Sequence, residues 1–234
     1  MIAGLQKMTL LDYPGKVACT VFLQGCNYAC PFCHNSELLC FEAEPLMQEE
    51  ELLAFLKKRQ GILEGVCITG GEPTLYAGLE NLLKRIKELG YAVKLDTNGS
   101  KPGVLRQLVE AGLVDYVAMD VKNSPARYAE TTGVPGLKLA SVEESLRYLM
   151  EGNAPYELRT TLVQQLHDEG SIEEMGRWLA SLVPGKQPEA LYLQCFVDRD
   201  TVAFAGLSAP EEATVHQFSH ILEPYVRQVR IRGE

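Results

Sequence analysis

No apolar run in this chain is long enough to cross a bilayer. The stretch Val17 to Leu23 falls far short of the roughly 20 residues a spanning helix needs. The opening segment, Met1 to Lys16, carries Asp12, Pro14 and two lysines and lacks the apolar stretch of a signal peptide. A soluble, cytoplasmic protein is therefore expected, with no membrane partner. A basic excess is missing too: 22 Lys and Arg stand against 31 Asp and Glu, a net charge of −9. Such a surface repels phosphate backbones, so nucleic acid is not an expected partner. No repeat, low-complexity tract or Gly/Ser linker interrupts the 234 residues, which points to a single domain over residues 1–234.

Cysteine is present, but not in the pattern of a disulfide framework. Seven is an odd number, and three of the seven crowd into Gly25-Cys26-Asn27-Tyr28-Ala29-Cys30-Pro31-Phe32-Cys33-His34-Asn35. In a cytosolic chain such spacing indicates metal or catalysis. The scattered Cys19, Cys40, Cys67 and Cys195 read as buried free thiols. Three clustered thiols are an incomplete set, because a structural zinc ion and an ordinary iron–sulfur cubane each take four protein ligands. A loop offering three leaves one coordination position for something else. The zinc alternative uses Cys26, Cys30, Cys33 and His34, but the adjacent Cys33 and His34 would have difficulty reaching one small ion together.

Strand-like and helix-like runs alternate along the chain. Strands are expected at Val17–Leu23, Gly65–Thr69, Tyr91–Thr97, Tyr116–Val121, Tyr156–Val163 and Ala190–Phe196, with a closing run at Val226–Ile231. Helices are expected at Gln48–Gln60, Ala77–Leu89, Val104–Ala111, Val142–Met150, Ile172–Leu182 and Pro210–Leu222. Gly90 sits where a helix C-cap is needed, and Ser141 with Glu144 has the capping-box pattern. About six strand–helix units with short connections imply an α/β fold with a parallel sheet, either an open doubly wound sheet or a partial barrel. In either architecture the C-terminal strand ends converge on one face.

The unusual polar groups lie at those ends. The cysteine loop follows the first strand and Gly70-Gly71-Glu72-Pro73 the second. Asp96-Thr97-Asn98-Gly99 ends the third, Asp120 and Lys122 end the fourth, and Arg159 lies in the fifth. Two glycines let the backbone approach a ligand closely, and the Glu72 carboxylate suits an ammonium group. Taken alone, the same turn reads equally well as a plain turn with an N-cap.

Cys-x3-Cys-x2-Cys with an aromatic before the last cysteine, followed by Gly-Gly-Glu-Pro, resembles the radical S-adenosylmethionine (SAM) enzymes. The resemblance implies a partial (β/α)6 barrel of the radical SAM type. Cys26, Cys30 and Cys33 would hold a [4Fe-4S] cluster whose fourth iron is chelated by SAM. Gly70, Gly71 and Glu72 would receive the methionine end of SAM, with Thr97, Lys122 and Arg159 as further contacts. Arg159 can instead serve a structural carboxylate. Asp96 and Asp120 match acids that bind a monovalent cation in pyruvate formate-lyase activase, or else cap the helices that follow. Asn98 is expected to shape its turn, and Cys195 stands where a polar residue would be expected.

Cys33-His34-Asn35 and Asp96-Thr97-Asn98-Gly99 are similar to motifs of the glycyl-radical-enzyme activases. Leu11-Asp12-Tyr13-Pro14-Gly15-Lys16 and Leu193-Gln194-Cys195-Phe196-Val197-Asp198 are similar to the subgroup of anaerobic ribonucleoside-triphosphate reductase activating proteins. The likeness implies reductive cleavage of SAM by an electron from flavodoxin or ferredoxin, then abstraction of a glycine α-hydrogen from a partner glycyl radical enzyme. Rivals are a pyruvate formate-lyase-type activase, a small-molecule radical SAM enzyme such as 7-carboxy-7-deazaguanine synthase, and a zinc-binding interaction module. His216 and His220, four apart on an expected helix, lack a third ligand and read as a surface pair. The stretch Gln164–Gly170, with His167, reads as a solvated loop.

Overall fold

The computed structural model describes residues 1–39 and 45–232; Cys40 lies outside the described residues. Eight strands follow one another in chain order through one sheet: β1 (Ile2–Thr9), β2 (Ala18–Leu23), β3 (Gly65–Gly70), β4 (Ala92–Thr97), β5 (Tyr116–Asp120), β6 (Tyr156–Leu162), β7 (Leu191–Cys195) and β8 (Val229–Arg232). The helices are α1 (Glu49–Lys58), α2 (Leu79–Glu88), α3 (Pro102–Glu110), α4 (Tyr128–Thr132), α5 (Ala140–Met150), α6 (Glu169–Ser181) and α7 (Glu212–Leu222). No helix among the described residues is long and apolar enough to cross a membrane. The chain divides into two compact units, Met1–Asn27 with Glu37–Ala118, and Tyr28–Ser36 with Met119–Glu234.

In the first unit β2, β3 and β4 are parallel, in the register Ala18↔Gly65 to Leu23↔Gly70 and Gly65↔Ala92 to Ile68↔Leu95. Val21, Val66, Ile68, Val93 and Leu95 are fully buried, as expected of strands covered on both faces. Helix α2 buries Leu79, Leu82, Leu83 and Ile86, the i, i+3, i+4, i+7 stripe of an amphipathic helix. It ends where Gly90, at φ +88°, donates its N–H to Lys87 O at 2.9 Å. The strand β1 escaped the sequence reading. It pairs antiparallel with β2 through two register irregularities, and its central residues Gln6, Lys7 and Met8 are exposed, so it shows no clean alternation.

The second unit carries the parallel pairs β6–β7 and β7–β8. Ile172, Met175 and Leu179 of α6 are fully buried, as is Leu222 of α7. Helix α6 begins with a reciprocal capping box: Asp168 accepts from Ser171 N at 2.8 Å and donates its own N–H to Ser171 Oγ at 3.0 Å. The capping box expected at Ser141 is absent, because α5 starts at Ala140 rather than at the expected Val142 and places Ser141 inside the helix. The five-residue α4 was also missed, being too short to show a period.

Candidate functional site

The register of β2 and β3 places two loops side by side in the first unit. Leu23 and Gly70 are paired, and the backbones leaving them stay in contact: Gly71 N donates to Leu23 O at 2.9 Å and Glu72 N to Gly25 O at 2.7 Å. The two glycines are required by this approach. A Cβ on Gly70, already at φ +122°, would stand 2.2 Å from Leu23 O, and one on Gly71 would stand 2.2 Å from Gly25 O. The backbone they admit is therefore the segment leading into Cys26.

Glu72 is 1% exposed and caps the 3-10 turn Pro73–Leu75. Its Oε1 accepts from Thr74 N at 3.1 Å, Thr74 Oγ1 at 2.5 Å and Thr97 Oγ1 at 2.8 Å, and its Oε2 from Asn98 N at 2.6 Å. Burial pushes the Glu72 carboxyl up, while the bonds from Asn98, Thr74 and Thr97 pull the other way. The two backbone N–H groups can only donate, so they hold the acceptor form in place. The carboxylate thus joins the β3 turn to the β4 turn, and Thr97 faces Glu72. Asn98 continues the chain of contacts: its Nδ2 donates to Asn27 Oδ1 at 3.0 Å and lies 4.0 Å from Cys26 Sγ, while its Oδ1 accepts from Ser100 N at 2.9 Å. Shaping its turn is only half of what Asn98 does.

Asp96 meets a partner that the sequence reading missed. Lys94, two residues earlier on β4, is buried and places Nζ 2.5 Å from Asp96 Oδ1. Its signal was a lone lysine between Val93 and Leu95 in an apolar strand.

The remaining predicted residues lie in the second unit. Cys33 N donates to Cys30 O at 3.1 Å, which turns the loop between these two thiols. Phe32 packs with Val163, Leu166 and Phe196, and Cys30 rests against this cluster. Burial pushes the Cys30 thiol up, Lys122 pulls it down, and Cys33 and Asp120 push it up again. Lys122 Nζ stands 5.9 Å from the centre of the Phe32 ring and 2.8 Å from Asp120 Oδ2. Arg159 reaches Asp120 Oδ1 through Nη2 at 3.0 Å and Nε at 3.1 Å, so its partner here is a carboxylate of the protein. Burial opposes the Asp120 charge, but Lys122 and Arg159 outweigh it and hold its carboxyl at about 2.

His34 ends the cysteine loop with contacts absent from the sequence reading. Its Nε2 meets Val197 O at 2.6 Å, its ring stacks on Phe196 at 5.4 Å and 20°, and its carbonyl accepts from Thr201 Oγ1 at 2.7 Å. His167 is 4% exposed, so the expected solvated loop is buried at this residue. It anchors the carbonyl of Lys122 at 3.0 Å through Nε2. His216 and His220 are exposed on α7, beside Glu212 and Glu223 respectively. Cys195 is half-buried at the end of β7.

Among the described residues no three His, Cys, Asp or Glu side chains are gathered as a cage for a single ion. The thiolates of a cubane each hold a different iron and stand further apart than the ligands of one ion. The donor set fits such a cluster: three cysteines within eight residues of sequence, none of them in a disulfide, Cys26 beside Asn98 in the first unit and Cys30 against the Phe32 cluster in the second.

The Radical SAM superfamily pattern matches residues 20–179. A Methanocaldococcus jannaschii protein classed with the glycyl-radical enzyme activating enzymes is 30% identical, over 99% of this chain and 95% of its own length. A 7-carboxy-7-deazaguanine synthase of Thermococcus kodakarensis is also 30% identical, over 74% of this chain and 73% of its own. The crystal structure of a domain of pyruvate-formate lyase-activating enzyme from Bacteroides vulgatus superposes with a TM-score of 0.57 at 25% identity, covering 72% of this chain and 99% of that one. The fold is the partial α/β barrel of these enzymes, and the chain belongs to the radical SAM superfamily, whose members work with a [4Fe-4S] cluster and SAM.

Proposed function

We propose that this chain activates a glycyl radical enzyme by removing a hydrogen atom from a glycine α-carbon of that partner, and that the partner is an anaerobic ribonucleoside-triphosphate reductase. The observation that carries the activase reading is the similarity to the M. jannaschii protein over nearly the whole length of both chains. The choice of reductase rests on the two segments Leu11–Lys16 and Leu193–Asp198.

Cys26, Cys30 and Cys33 would hold the cluster, and Gly70, Gly71, Glu72, Thr97, Lys122 and Arg159 would form the SAM side of the site. When bound, the cluster and SAM supply one-electron reductive cleavage and a carbon radical strong enough to take the hydrogen. The protein's own residues position. Glu72 holds Thr97 and Asn98 in place through its carboxylate. Asp120 fixes the directions of Lys122 and Arg159, whose combined positive charge suits the carboxylate of an amino-acid ligand. Phe32 keeps water from the Cys30 side of the loop. We place the reaction in the cytoplasm with flavodoxin or ferredoxin as the electron donor; none of the six described cysteines is paired in a disulfide, as a reducing compartment would have it.

The test is anaerobic: protein reconstituted with iron and sulfide is given SAM, a reductant and purified candidate partners, and the glycyl radical is scored by its EPR doublet. A doublet on the ribonucleotide reductase is expected. A doublet on pyruvate formate-lyase alone would change the partner. Conversion of a tetrahydropterin substrate without any glycyl radical would move the assignment to the deazaguanine synthases.

A further inference from the structure

The two acids that match a monovalent-cation site, Asp96 and Asp120, each already hold a cation of the protein. Lys94 Nζ is 2.5 Å from Asp96 Oδ1, with side chains 2% and 13% exposed. Asp120 holds two, Lys122 at 2.8 Å and Arg159 at 3.0 Å. We propose that Lys94 is the resident cation at Asp96 and that this enzyme binds SAM without sodium or potassium. The proposal rests on the radical SAM activase reading above.

The placement of Lys94 follows from the strand. Residues two apart on β4 share a face, so the Lys94 side chain runs toward Asp96. The same register sets Lys94 opposite Cys67 of β3, whose Sγ lies 3.9 Å from Nζ and 3.6 Å from Asp96 Oδ1. An ammonium removed from water is strongly disfavoured unless a carboxylate meets it at short range, so the pair is tied together. The surroundings are also wrong for an alkali ion. Such a hard ion takes oxygen ligands, whereas this position presents an ammonium that repels it and a soft thiol that does not bind it. One carboxylate and one ammonium sum to zero at Asp96. At Asp120 one carboxylate and two cations leave a net charge of +1, which attracts an anionic ligand and repels a metal cation. Neither acid keeps the uncompensated negative charge that a bound sodium or potassium ion requires.

The test uses the anaerobically reconstituted holoprotein. SAM affinity is measured by equilibrium dialysis in choline chloride and in sodium or potassium chloride at equal ionic strength, so that screening is constant. For the wild type the affinities should agree within about twofold. In Lys94→Met the affinity in choline should fall by about tenfold or more, the scale of one lost charge-assisted contact, and sodium or potassium should restore it. Wild-type affinity that rises about tenfold with either ion, or a Lys94→Met protein that matches the wild type in choline, would overturn the proposal. A second measurement needs no variant. Thallium-205 NMR on the wild type, with thallium(I) as a potassium surrogate, should show no protein-bound signal, and a bound signal displaced by potassium would overturn the assignment. If SAM fails to bind in any salt, the functional reading falls, while the thallium result still judges Lys94.

Discussion

Asn98 donates its backbone N–H to Glu72 Oε2 at 2.6 Å, across 26 residues of sequence. The same asparagine reaches Asn27 and Cys26 through its side chain. One residue therefore couples the glutamate turn to the first thiol of the cysteine loop. Because Glu72 collects four donors in a buried position, Glu72→Gln replaces one acceptor oxygen by an NH2 group that can only donate. Whichever oxygen is replaced, one backbone N–H is left facing it, Thr74 N at Oε1 or Asn98 N at Oε2, while the threonine hydroxyls can turn to accept. The expected loss is about 1–3 kcal/mol of stability for a stranded buried group, read from urea unfolding of the metal-free protein. A variant with the wild-type midpoint would show that the Glu72 bonds carry no weight.

Gly71→Ala tests the contact between the two loops. The new Cβ would meet Gly25 O at 2.2 Å, and that atom is backbone, which cannot swing aside as a flexible side chain would. The loop leading into Cys26 must move, at about 1–3 kcal/mol for an overpacked contact. Iron and sulfide bound after anaerobic reconstitution should drop below the wild-type amount. Gly90→Ala is the control for strain alone, since its positive φ costs stability but nothing lies within 4 Å of the added atom. Full cluster loading in Gly71→Ala would refute the coupling.

The strand-end motifs were legible because each is a local pattern. The alternation of elements, Gly90 as a helix stop and the thiol triplet are all written in short windows. What stayed hidden depends on pairing at a distance. Nothing in Val93-Lys94-Leu95 says that Asp96 will neutralise the lysine, although a buried lysine must find an acid somewhere. The clasp of His34 on Val197 spans 163 residues, and β1 hides its strand behind register irregularities. His167 sits among polar neighbours, so the window around it reads as solvent-facing although the residue is buried.

His167 gives the fold a pH dependence whose sign follows from its contacts. Val163 N donates to Nδ1 at 3.1 Å, and Nε2 faces Lys122 O at 3.0 Å, so the neutral form protonated on Nε2 serves both. Nδ1 also stands 3.2 Å from Val163 O, which already accepts from His167 N at 2.9 Å. Burial lowers the pKa below the ordinary 6.5. The unfolded chain takes up its proton first as pH falls, so this contribution is complete above about 6.5 and is lost as pH falls through the lower folded value. His167→Gln, which keeps an acceptor and a donor but cannot titrate, should flatten the stability profile below about 6.5. The check is urea midpoints measured between pH 5 and 7.5; parallel profiles would sink the idea.

Asp120 has the opposite chemistry and the same direction of pH dependence. Its carboxyl is held at about 2 against an ordinary 3.8, so it stabilises the fold above 3.8 and the contribution disappears as pH falls through about 2. Asp120→Asn removes the charge and leaves Lys122 and Arg159, 15% and 14% exposed, side by side without a counterion. Breaking one partner out of a buried pair costs about 3–5 kcal/mol, and the partial exposure of this group puts the expectation at about 2–3 kcal/mol. The variant should also lose less stability than the wild type between pH 4 and pH 2, because the titrating group is gone. A neutral amide in place of the Asp120 carboxylate, next to two cations, should leave a site that attracts anions more strongly than the wild type does. Chloride or sulfate should therefore raise the variant's melting temperature more than the wild type's at equal ionic strength. If Asp120→Asn matched the wild type in midpoint, acid slope and anion response, the ion pairs at Asp120 would be surface contacts without energetic weight.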